Sequence, residues 1–263
     1  PHPQRERPKT MKINRGKQQL PRKTVIYGGP GIGKSTIASQ CPDAIFLPTE
    51  DGLGQIDCHS FDIAASYDDV MSNIGQLYTE DHSYKAVVID SADWLERLIW
   101  ESICQQQSVE SIEQASGSYG KGYVLACNLF SAVLTGLDAL RQTKGMHIII
   151  IAHAKTESHK DPENPDYDRW VPKLHKHVSA LLLEWADEML FAHLKVLTTT
   201  EDGGFGRKTT KALDGGKRVL RTVARPTAVA KNRLNLPDEI DFNWAAYAQH
   251  FTPKTVAPSA KKG

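Results

Sequence analysis

Gly28-Gly29-Pro30-Gly31-Ile32-Gly33-Lys34-Ser35 is the stretch on which the reading of this chain turns. It has the pattern G-x-x-x-x-G-K-[ST], and its chemistry works through the backbone. Glycines let successive N–H groups turn inward around phosphates, and the start of the following helix adds its positive dipole. In such a loop Lys34 reaches the β- and γ-phosphates and the Ser35 hydroxyl ligates Mg²⁺. The flanks supply the context that the pattern needs. Thr24-Val25-Ile26-Tyr27 is a short β-branched strand that runs straight into the glycines. Lys34 to Gln40 reads as a helix, ended at Cys41-Pro42 because proline disfavours helix in the residue before it. Binding of ATP with Mg²⁺ is therefore predicted for Gly28 through Ser35, with Thr36 next to them.

Working outward, Ala44-Ile45-Phe46-Leu47 is a second buried strand and Phe61-Asp62-Ile63-Ala64 a third. Ala86-Val87-Val88-Ile89-Asp90 is an apolar run ending in a carboxylate. Mg²⁺ needs further oxygen ligands, usually a carboxylate at the tip of a neighbouring strand, and Asp90 is the best candidate. Hydrolysis also needs a group that orients or deprotonates water. Glu50 follows the second strand, where parallel strands face a ligand crevice; its neighbour Asp51 is an alternative.

Trp94, Leu95, Leu98, Ile99 and Ile103 have helical spacing. A glycine-rich loop, Gly117 to Gly122, leads to a long amphipathic helix at about 124–143, and Met146 to Ala152 is another central strand. Residues 154–172 are polar and aperiodic, which predicts a long loop of the kind that carries function. After a helix near 175–185 come antiparallel signals: Glu188–Leu197, then 205–213 and 217–223 joined by a turn at Leu213-Asp214-Gly215-Gly216. Thr227-Ala228-Val229-Ala230 reads as an edge strand. The predicted fold class is α/β, a mostly parallel central sheet flanked by helices with an antiparallel hairpin edge. One domain over 23–251 is expected between flexible tails, a basic one at 1–22 and another at 252–263.

Composition sets outer bounds. Of 263 residues, 40% are hydrophobic and 24% charged, ordinary for a globular protein. The longest apolar run, Ile148 to Ala152, is too short to span a bilayer, so no membrane association is expected. Cys41, Cys58, Cys104 and Cys127 form no C-x-x-C pair and read as free thiols, which fits a cytoplasmic location. The net charge of +1 conceals segregation: 204–233 carry nine Lys/Arg against Asp214, whereas 43–113 carry fifteen Asp/Glu against Lys85 and Arg97. Such a distribution suits head-to-tail self-association or an anionic polymer held on one side. His175-x-His177 lacks a third ligand and does not make a metal site.

The order of these motifs resembles the RecA-type ATPase core, in particular the small phage-encoded RecA-like proteins of single-strand annealing and recombination. The segments GGPGIGKST, FLPTEDGL, AVVIDSADWL, IIIIAHAK and AVAKNRLNLP carry the resemblance, from about residue 23 to 240. It implies Glu50 as catalytic base, Asp90 as Mg²⁺ partner and His153 as γ-phosphate sensor, although RecA itself has glutamine there. It further implies Lys231 and Arg233 as cations acting on a neighbouring subunit's nucleotide, hence a homo-oligomer, filament or ring. Two loops would hold single-stranded DNA, Tyr119, Lys121 and Tyr123 in one and Lys155, Arg169 and Trp170 in the other. Cations neutralise phosphates and aromatic faces stack bases, without sequence preference. The same nucleotide motifs would also serve a protein-directed switch or ring without DNA, and with less support a small-molecule kinase.

Overall fold

Val25, Ile26 and Tyr27 are fully buried, and a strand that is apolar on both faces belongs in a sheet covered on both sides. A computed structural model describes residues 20–117, 119–162, 165–202 and 208–251, without the side chains of 196–202 and 208–215. Its strands are β1 (Lys23–Gly28), β2 (Ala44–Pro48), β3 (His59–Ser60), β4 (Ala86–Asp90), β5 (His147–His159), β6 (Tyr167–Pro172), β7 (Glu188–Asp202), β8 (Lys208–Arg221) and β9 (Glu239–Asp241). They hydrogen-bond in the order β3-β2-β4-β5-β1-β7-β8-β9, with β6 paired to β5. Pairing is parallel from β3 through β7 and antiparallel for β7–β8, β8–β9 and β5–β6. The predicted class, a mostly parallel α/β sheet with an antiparallel edge hairpin, is the observed one.

Alternate residues of the central strands feed two cores, because successive side chains point to opposite faces. Val25, Tyr27, Val87, Ile89, Ile148 and Ile150 pack against α2 (Tyr67–Thr79), α3 (Ala92–Gln107), α4 (Lys121–Thr143) and α5 (Lys176–Trp185). Ile26, Phe46, Val88, Ile149 and Ile151 pack on the other side against α1 (Lys34–Ser39) and α6 (Trp244–Ala248). By length and composition α4 could cross a bilayer. Here Ala126, Phe130, Val133, Leu134, Leu137 and Leu140 are buried, a 3.6-residue stripe that makes it the central core helix.

Several expectations need correction. The chain is already fixed before residue 23: the Arg22 main-chain N–H donates to His147 Nδ1 at 2.9 Å, and Arg141 donates to the Pro21 carbonyl. The rest of the expected tails, 1–19 and 252–263, lies outside the described residues. Phe61–Ala64 is not a strand. The N–H groups of Phe61 and Ala64 bond the carbonyls of Phe46 and Pro48, three residues against two, so the parallel register breaks after Ser60. Helix α2 was not read from the sequence, although Ser66 caps it by accepting the Asp69 N–H.

The expected loop at 154–172 is a hairpin arm, with β5 continuing past the sheet to pair Ala154↔Pro172 through His159↔Tyr167. Its larger apolar residues, Trp170 and Val171, are adjacent and so fall on opposite faces, which leaves no alternation to read. The expected turn at 213–216 lies inside β8, opposite a register shift between Lys195 and Leu197; the two glycines accommodate a bulge. Thr227–Ala230 makes only isolated bridges, Ala228 to Trp170 and Arg225, before Lys231 pairs with Met189.

Candidate functional site

The parallel register brings four strand ends to one rim. Gly28 lies beside His153, Pro48 beside Asp90, and Asp90 beside Ile151. Two glycines are required by geometry. A Cβ on Gly28 would stand 2.4 Å from the Ala192 carbonyl oxygen, so a side chain there would force β1 and β7 apart. Gly33 has φ +100 and would meet Phe242 and Arg218 at 3.3 and 3.4 Å, a left-handed position that favours glycine. Together they let the loop curl tightly from β1 into α1. Within it the Lys34 ammonium is buried and donates to the carbonyls of Gly28 and Gly29 at 3.2 and 3.0 Å. Burial lowers its pKa, and the nearby charges of Asp90, Asp93 and Glu50 oppose that shift.

Asp90, buried at the tip of β4, faces the same cleft as Ser35. Burial raises its carboxyl above the usual range, against the Ser35 hydroxyl and the charge of Lys34. A hydroxyl and a carboxylate facing one cleft form the hard-oxygen pair that Mg²⁺ takes from a phosphate-binding loop, so the residues fit the ion. No set of three His, Cys, Asp or Glu residues suited to a metal occurs among the described residues, His175 and His177 included.

Thr49 joins the second acidic strand end to the first. Its hydroxyl donates to the Ser91 carbonyl and accepts the Ser91 N–H, both at 2.8 Å, while its own N–H donates to the Asp90 carbonyl. That latch sets Glu50 over β4, where its Oε1 accepts the Ser91 hydroxyl at 2.5 Å. Burial raises the Glu50 carboxyl, opposed by Ser91 and His153. His153 Nδ1 lies 4.0 Å from Glu50 and 3.0 Å from Asp93. Asp93 also accepts the His153 main-chain N–H at 3.0 Å. Burial raises the Asp93 carboxyl, but these bonds outweigh it and hold it below the usual range. Sequence reasoning passed over Asp93. Its signal was a second acid three residues after Asp90, which reads as an ordinary first-turn helix residue.

The phosphate loop and both acidic strand ends line one cleft of about 290 Å³, through Gly31, Gly33, Lys34, Ser35 and Thr36 together with Glu50, Asp51, Gly52, Ile56, Asp90 and His153. Glu50 is directed inward onto Ser91, whereas Asp51 is exposed.

The remaining candidates are dispersed. Tyr119 is 96% exposed and Lys121 begins α4, so the expected first loop is partly helix; Ser118 lies outside the described residues. Tyr123 turns inward, its ring stacked on His175 at 4.1 Å and its hydroxyl donating to Glu113. Lys155 donates to the Leu174 carbonyl at 2.7 Å, next to that stack. Arg169 faces Glu157 across the hairpin at 3.4 Å. Trp170 points to the other face, 42% exposed and stacked near Phe191.

Lys231 and Arg233 stand at the opposite end of the sheet from the cleft, since Lys231 pairs with Met189, which is level with Val25. The Lys231 ammonium donates to the Leu183 and Glu184 carbonyls at the end of α5, and Arg233 pairs with Asp187 at 2.9 Å. The anion that two such cations require is thus present in their own chain.

No curated protein matches the chain. A family model described as an AAA domain matches residues 20–234, a span that contains the phosphate loop, both acidic strand ends and His153. The chain therefore belongs to the AAA domain family and is a P-loop, nucleotide-binding ATPase domain.

Proposed function

We propose that this ATPase is RecA-like, binds single-stranded DNA and supports annealing or recombination as a cytoplasmic oligomer. The observation that carries the reading is a shared strand. β5 presents His153 to the nucleotide cleft and continues without a break into the hairpin arm that bears Lys155, Arg169 and Trp170. A change at the phosphates has a direct mechanical route to a basic and aromatic surface. The exposed face of Trp170 and exposed Tyr119 are suited to stacking on bases, and Lys121 to a phosphate.

In the cleft, the loop N–H groups, Lys34 and Thr36 would hold the phosphates, and Ser35 and Asp90 would hold Mg²⁺, which neutralises phosphate charge when bound. Glu50 takes the proton of the attacking water. Its raised carboxyl pKa makes it a better base than an exposed glutamate. Lys231 and Arg233 are assigned to a neighbouring subunit's site, for which they would have to exchange their intrachain partners.

The protein-directed switch without DNA is favoured by a different observation: Tyr123, Lys155 and Arg169 already have partners within the chain. Fluorescence anisotropy with labelled single strands, in the presence of an ATP analogue, separates the two. The DNA reading expects salt-sensitive, sequence-tolerant binding, stimulation of hydrolysis by the strand, and a loss of roughly 1–3 kcal/mol in Trp170→Ala. Absence of binding at low salt would leave the switch reading.

A further inference from the structure

The cleft is walled by glycines, hydroxyls and charged groups, with Ile56 its one large apolar side chain among the described residues. That lining suits a phosphate chain and its metal. A nucleotide also carries a base and a sugar, which proteins hold on apolar and planar groups. The sheet order says on which side those lie. Asp90 and Glu50, at and just past the ends of β4 and β2, receive the terminal phosphate on one side of β1. The nucleoside end therefore points across β1, toward β7, β8 and β9.

Two side chains meet the phosphate loop on that side. A Cβ on Gly33 would stand 3.3 Å from Cε1 of Phe242, just after β9, and 3.4 Å from Nη1 of Arg218 on β8. Phe242 is half-buried against the core that contains Ile37 of α1, the helix into which the loop runs. Arg218 is exposed and has no hydrogen-bond or ion-pair partner among the described residues. Its neighbours on β8 are committed, Lys217 to Asp241 and Arg221 to Glu239. Neither Arg218 nor Phe242 lines the phosphate cleft. An unpaired guanidinium is a planar, weakly hydrated cation that stacks on aromatic faces.

We propose that Arg218 and Phe242 form the nucleoside subsite, Arg218 stacking on the base and Phe242 giving the apolar contact beside it. The proposal rests on the nucleotide-binding reading of the cleft.

Calorimetric titration of the full chain with ATPγS, ADP and inorganic tripolyphosphate tests it. R218A should weaken both nucleotides by the same factor, roughly ten-fold for one stacked base, and leave tripolyphosphate unchanged. F242L, which keeps an apolar group in the core, should act in the same direction. R218K restores the charge without the plane and should share most of the R218A loss. K217A, one residue away, should change nothing. Unchanged nucleotide affinity in R218A overturns the proposal, as does an equal loss for tripolyphosphate or in K217A. If tripolyphosphate binds wild type too weakly to measure, R218K decides: full recovery makes Arg218 a phosphate contact and overturns the subsite. Wild-type protein that binds neither nucleotide overturns the cleft reading itself, whereas unchanged affinity in R218A leaves that reading intact.

Discussion

Glu96 lies one turn beyond Asp93 on α3, and its two oxygens share the His175 main-chain N–H at 3.0 Å each. Burial pushes its carboxyl from an ordinary 4.5 to about 7, against that bond and the charge of Lys155. Between those values the folded chain holds a proton that the unfolded chain has released. This contribution to stability is complete below about 4.5 and lost as the pH rises through about 7. Glu96→Gln keeps an acceptor for His175 and cannot ionise. It should flatten the decline across that window and be more stable than wild type at pH 8, by ~1–3 kcal/mol in urea titrations. The same slope in both proteins would refute a buried ionisation at Glu96. Single residues were legible in the sequence where a local pattern fixes their chemistry, as for Lys34, Ser35 and Asp90. Thr49, Asp93 and Glu96 were not, because each acts through a partner more than forty positions away.

Among elements, the join between β2 and β4 positions the site. Thr49 is buried and its hydroxyl satisfies both main-chain groups of Ser91. Thr49→Val keeps the shape and strands a buried N–H and carbonyl, which should cost about 1–3 kcal/mol in stability. Glu50 follows directly on the same strand end, so kcat for hydrolysis should fall more than KM rises. Wild-type kcat in a destabilised Thr49→Val would show that the latch does not hold Glu50. Elements with apolar periodicity, such as β4, β5 and α4, were readable because burial dictates their sequence. The arm at 154–172 and the bulge at 213–216 were not. The first sets Trp170 and Val171 side by side among polar residues and has no strand period, and the second uses Gly215-Gly216, the residues that a hairpin turn also prefers.

Across the whole molecule, the two ends of the described chain are clasped to the sheet. Arg22 pairs with fully buried Glu188 at the start of β7, Tyr247 of α6 donates to the same carboxylate at 2.8 Å, and Thr24 bonds Tyr247 at 2.6 Å. Arg22→Ala leaves that carboxylate buried with only a hydroxyl, and should cost about 3 kcal/mol. Glu188→Gln in the same protein should recover part of the loss, and no recovery would place the cost in Arg22 packing alone. The clasp lies at the end of the sheet opposite the cleft, so neither change should alter nucleotide affinity at temperatures where both fold. What the molecule does rests on the phosphate loop, and the most direct test is the rate of Mg²⁺-dependent ATP hydrolysis by wild type, Lys34→Ala and Glu50→Gln at equal concentration. Wild type should turn ATP over, Lys34→Ala should not and should bind ATP weakly or not at all, and Glu50→Gln should bind ATP without turnover. Hydrolysis by Lys34→Ala at the wild-type rate would contradict it.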